Sequence, residues 1–182
     1  MKVFNRVGDM YVTELTSFEV ELLFSLLGQL DEIVGVGAAP EGDPLAAMQH
    51  EAETERLDRS DPLVGRLFPS AYPDDAEASA DFARFTEYEQ RTQLAHDLAI
   101  VTGGLAGTED GTLPLQVYAD EVVAWLRALS ALHLALAARL EIVDEASLER
   151  LDLLPEDHPD AFGYEIFEWL GSVMESLLRS VS

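Results

Sequence analysis

The chain has 182 residues, 48% of them apolar, with 35 acids against 11 bases and a formal net charge of −24. A field of that sign repels phosphate, which argues against direct nucleic-acid binding and against contact with an acidic membrane surface. Cysteine is absent, which removes disulfides, thiolate nucleophiles, cysteine zinc sites and thiol switches.

A chain of this length is expected to form a single domain, residues 1–182, with enough core to fold without staples. The N-terminal stretch MKVFNRVGDMYVTEL lacks the apolar core of a signal peptide. The most apolar region, Val122 to Val143, is broken by Arg127, His133, Arg139 and Glu141, the wrong pattern for a membrane span. A cytoplasmic protein is the simplest reading.

Residues 1–15 predict a β-hairpin. Two β-prone runs, VFNRV and MYVTEL, flank Gly8-Asp9, a pair that tolerates the positive φ of a tight turn. An isolated hairpin is marginal in water, so this one must lie on apolar surface. A first helix follows over 16–35. Thr16 and Glu19 have the capping-box spacing, and Leu22, Leu26, Leu30 and Ile33 recur at helical period. Gly35 and Gly37 should end it.

Residues 36–60 read as a polar linker, with a weakly apolar helix over Leu45 to Arg59. Residues 61–182 are expected to complete a helical bundle. Asp61-Pro62 opens a short helix that FPSAYP ends. Asp74 or Asp75 caps the next helix, with Phe82 and Phe85 facing inward. Thr86 and Glu89 repeat the capping-box spacing, which predicts a bend and restart there, and Gly103-Gly104 and Gly107 should end the helix. The strongest periodic signal is a helix from about Gln116 to Leu140. Its seam is Val122, Leu126, Leu129, His133, Leu136 and Leu140, widened by Trp125 and Leu132, and it should be central. A short acidic helix and a loop follow. A last helix, about Ala161 to Val181, turns Ile166, Leu170, Val173, Leu177 and Val181 inward. The fold class is therefore mainly α, a bundle of about five helices with a short N-terminal β-hairpin packed on it.

No catalytic, cofactor-binding or metal-ligating set emerges. HEAET at His50 begins like a zinc-protease helix but has Thr54 where the second histidine belongs. His158 sits among acids in a loop, and His96 lies off the apolar row. No Glu-x-x-His motif supports a di-iron bundle, and there is no phosphate loop. Carboxylate pairs abound but nothing selects one for acid/base work. Trp125 and Trp169 read as packing residues. His133 interrupts a leucine seam and is a candidate pH-sensitive core residue, because burial moves a histidine across physiological pH. Asp74, Asp75, Glu77 and Asp81 form a candidate partner-binding face, although the same acids suit a helix start. The excess negative charge fits solubility, a docking face for a basic partner, or mimicry of nucleic acid.

Three segments taken together carry a resemblance: DPLVGRLFPSAYPDDAEASADFARFTEYEQR, LPLQVYADEVVAWLRALSALHLALAARLEI and YEIFEWLGSVMESLLRSV. In this order they resemble an actinobacterial family of unknown function, number two-zero-one-seven, that includes AosR-like oxidative-stress regulators. The resemblance implies a small acidic helical cytoplasmic protein, and its regulatory branch implies association with an alternative sigma factor through a redox-sensitive cysteine pair. This chain has no cysteine, so that switch cannot operate. Arg139 and Leu140 match the family pattern, whereas Ser130, His133, Ala137 and Ala138 depart from it. The reading is a non-enzymatic regulatory or adaptor protein that binds another protein, a basic one such as a sigma factor or transcription-complex subunit. The alternatives are an enzyme with a carboxylate acid/base site and a structural homodimer.

Overall fold

The computed structural model describes residues 2–36, 45, 50–51, 54–72, 74–155 and 157–181. Two short strands open the chain, β1 (Asn5–Val7) and β2 (Met10–Thr13). They pair antiparallel, with Val7 opposite Met10, and Gly8 at φ 63° makes the tight turn between them. Next come α1 (Ser17–Val34), α2 (Pro62–Leu67), α3 (Ala76–Ala106), β3 (Leu115–Tyr118), α4 (Val122–Arg139), α5 (Glu145–Asp152) and α6 (Ala161–Val181). The described residues thus hold six helices and a small antiparallel sheet that packs against them.

The hairpin lies on α6, where the Phe4 amide donates to Ser176 Oγ at 2.8 Å, and Phe4 and Tyr11 are buried beneath it. The sheet order is β1-β2-β3, so the hairpin carries a third strand. Residues 116–118, expected to begin the long helix, belong to that strand. Leu115 and Val117 point into the core while Gln116 and Tyr118 face out, the two-residue alternation of a half-buried strand. Tyr11 pairs with Val117 and Thr13 with Leu115. Gly111, at φ 82°, lets the loop before β3 press on the start of α1. A Cβ there would stand 2.9 Å from Leu15 O and Ser17 N.

α1 starts as its sequence requires. Thr16 Oγ1 accepts from the Glu19 amide at 3.2 Å, and Glu19 Oε2 accepts from the Thr16 amide at 2.8 Å, closing the capping box. Its far end is capped by Gly35 at φ 58°.

α4 is the centre, in contact with α1, α2, α3, α6 and β3. Trp125, Leu129 and Leu132 are fully enclosed, and α6 answers with Leu170, Val173 and Leu177. Val181, expected inward, is 41% exposed because the last turn of α6 runs past the core. Val122–Arg139 contains only Arg127 and Arg139 as charges. It is the one helix among the described residues long and apolar enough to cross a membrane, by length and composition alone, and half of it is buried within the fold.

α3 corrects three expectations. It is one helix from Ala76 to Ala106, without a restart at Thr86. Thr86 turns its hydroxyl back to Phe82 O at 3.0 Å, as a serine or threonine inside a helix does. Gly103 and Gly104 do not end it; Gly107 is the cap. Gly104 instead admits the Trp125 indole, since a Cβ there would stand 2.7 Å from ring Cζ2. Phe82 and Phe85 do not face inward: Phe85 is 79% exposed, and Phe82 meets Tyr72 edge-on at the surface. The linker and helix expected over 36–60 lie largely outside the described residues. Leu45, His50 and Glu51 are helical, and residues 55–58 are not.

Candidate functional site

Two stripes along α3 organise the polar chemistry. The inward stripe is Ala83, Glu87, Arg91, Leu98, Val101 and Leu105, all buried. Its first half replaces leucine with a charged pair. Arg91 donates to Val34 O and Glu55 O, each at 2.7 Å, and its Nη1 lies 3.5 Å from the Glu87 carboxylate. Glu87 also accepts from the Leu57 amide at 3.1 Å and from Arg59 at 3.3 Å. Burial lowers the Arg91 pKa from its ordinary value, and Glu87 opposes the shift. This network ties the end of α1 and the 55–59 segment to α3, a structural task. Beside it lies a cavity of about 260 Å³ lined by Glu51, Thr54, Arg56, Arg84 and Tyr88 as well as the pair itself. Its facing charges are of both signs.

The second stripe, Thr86, Gln90, Gln93 and Asp97, is one wall of an open groove of about 760 Å³. Val123, Leu126, Ser130 and Leu134 of α4 form the other wall, and Leu67, Phe68 and Pro69 at the end of α2 close one side. Apolar surface dominates: Val123 is 55% exposed and Leu134 41%. In the α3 wall Asp97 is only 4% exposed at its side chain. It accepts from Gln93 Nε2 at 3.0 Å and lies 3.8 Å from Arg127, whose own side chain is 57% exposed.

The four acids proposed from the sequence as a partner face all lie exposed at the start of α3. Asp75 caps it, accepting from the Ala78 amide at 2.9 Å, Glu77 sits in its first turn, and Asp81 faces Arg84 at 3.6 Å. Asp74 stands in the preceding turn. At 3.6 residues per turn Glu77 and Asp81 lie on the far side of α3 from Thr86, and none of the four acids lines the groove.

His133 sits between α4 and α6, half-buried and stacked on Phe167 with ring centroids 3.8 Å apart. Desolvation lowers its pKa; the Phe167 backbone and the Glu168 charge act the other way. Trp125 packs in the core, and Trp169 donates its ring N–H to Glu19 Oε1 at 3.0 Å. Burial opposes the charge on Glu19, but hydrogen bonds, those from Thr16 among them, outweigh it and lower the pKa. Asp58 and Asp144 are likewise lowered, chiefly by hydrogen bonds from Ser60 and Ser147. Glu19, Asp58 and Asp144 are thus favoured in their charged form by their hydrogen bonds. Among the described residues no group of three or more His, Asp or Glu is placed to hold a metal ion.

Glu87, Arg91 and Asp97 escaped sequence reasoning. Their signal was positional: extending the Leu98–Val101–Leu105 row backwards by helical steps reaches Arg91 and Glu87.

The fold and the site define a strongly acidic, mainly α protein with a small antiparallel sheet and an apolar groove between helices. The chain belongs to the family described as Domain of unknown function (DUF2017), whose model matches residues 1–181. No curated protein and no solved structure matches it.

Proposed function

We propose that this is a non-enzymatic regulatory or adaptor protein that binds another protein through the α2–α3–α4 groove. The observation that carries the reading is the groove itself: about 760 Å³, open, apolar on its α2 and α4 sides and largely polar along α3. An open concave site that sets apolar side chains against a few polar groups is a common form of recognition site. The net charge of −24 favours a basic partner by raising the encounter rate and disfavouring acidic competitors. A sigma factor or another basic subunit of the transcription apparatus fits that chemistry. Without cysteine the association carries no thiol switch. Self-association is disfavoured by the repulsion between two copies of the same charge.

The test is affinity capture from the cognate cell extract at low and high salt, with the wild-type chain and Leu126→Glu as baits. A basic protein should be retained by wild type, released by salt and lost by the variant. Recovery of the bait alone at both salts, or the same retained proteins on both baits, would refute the reading.

A further inference from the structure

We infer that the groove receives an amphipathic helix of the partner, about three turns long, whose basic residue pairs with Asp97. The inference rests on the groove reading above and specifies its occupant.

Length comes first. Wall residues 86 to 97 on α3 and 123 to 134 on α4 each cover eleven helical steps, about 16 Å at 1.5 Å per residue. That matches about three turns of a docked helix, and an apolar stripe at i, i+3, i+4 and i+7 would face Leu94, Leu126 and Leu134.

Charge comes second. Asp97 is a nearly buried carboxylate in the α3 wall, opposite the apolar residues of α4. An ionised carboxylate offers about four acceptor positions. The described residues supply one hydrogen bond, from Gln93, and one cation at the long distance of 3.8 Å. Arg127 is mostly in solvent, so it can swing away at little cost and leave Asp97 to an incoming lysine or arginine. As that cation enters, the helix carrying it covers the channel and excludes water, which strengthens the pair. An acidic or neutral helix would bury Asp97 without satisfying it, and that penalty gives the discrimination. A second copy of this chain would bring its own −24 and meets the same repulsion.

The probe is a display library of random 16-residue peptides, selected on the immobilised full chain, on Asp97→Asn and on Leu126→Glu. Wild type should enrich peptides with apolar residues at helical spacing around one lysine or arginine. On Asp97→Asn the apolar pattern should persist without the basic residue, and Leu126→Glu should enrich neither. Replacing the basic residue of a selected peptide by norleucine should weaken its binding to wild type about tenfold or more; this comparison needs no variant of the protein to fold. Peptides that depend on Leu126 but show no basic residue, or no helical spacing, would overturn the inference and leave the groove reading standing. No enrichment, or enrichment indifferent to Leu126→Glu, would overturn both.

Discussion

Replacing Arg91 with methionine should destabilise the fold by about 3–5 kcal/mol, the usual consequence of removing one partner of a buried ion pair. The Arg91 side chain is 4% exposed, and three groups depend on it: Val34 O, Glu55 O and the Glu87 carboxylate. Methionine fills much of the volume and supplies none of the donors. Glu87 keeps the Leu57 amide and Arg59, the latter one-third exposed, so the loss should fall toward the lower end of that range. Against a total stability of about 5–15 kcal/mol, that is a large fraction. Urea unfolding followed by far-ultraviolet ellipticity measures it. The double variant Glu87→Gln/Arg91→Met should lose less than the sum of the two single losses, since it no longer leaves a buried carboxylate without its buried cation. A loss under about 1 kcal/mol for Arg91→Met, or additive single effects, would refute the account of this network as the tie between α1 and α3.

Gly104→Ala should destabilise by about 1–3 kcal/mol of overpacking against Trp125, offset by up to about 1 kcal/mol of helix propensity; the clash at 2.7 Å should also change Trp125 fluorescence, and a more stable variant would contradict it. Thr16→Ala should cost about 1 kcal/mol by opening the capping box, and an unchanged urea midpoint would show that the cap is dispensable. For His133 the folded pKa lies below the unfolded one, so the unfolded chain takes up the proton more readily. Its contribution is full above about pH 6.5 and declines as pH falls through the folded value. Wild type should therefore lose more stability than His133→Leu between pH 7 and pH 5, and parallel profiles would end the idea.

What was legible in the sequence was whatever local rules decide. Gly8-Asp9 announced the hairpin turn, Thr16 with Glu19 announced the start of α1, and apolar rows at helical spacing announced α4 and α6. What was hidden depended on tertiary partners. Leu115-Gln116-Val117-Tyr118 alternates over too few residues to stand apart from the apolar run behind it, and only pairing with β2 makes it a strand. Thr86 and Glu89 satisfy a capping pattern, yet the chain continues because Glu87 and Arg91 anchor that stretch from its buried side. Phe82 and Phe85 were placed inward by hydrophobicity, while the inward positions went to a charged pair whose partners lie on other segments. The groove was invisible for the same reason: its walls come from three elements. The acids at 74–81 were legible as a cluster and as a helix start, which is where Asp75 and Glu77 stand.

The absence of cysteine permits a direct test of the groove as the docking site. Ser130→Cys, in the groove wall, and Ser25→Cys, exposed on α1, would each carry a polarity-sensitive dye and be titrated with the captured basic partner at low and high salt. A docked partner should give a saturable blue shift at position 130, weakened by salt, and none at position 25. A response at position 25 alone, or at neither position while the partner binds, would contradict docking in the groove.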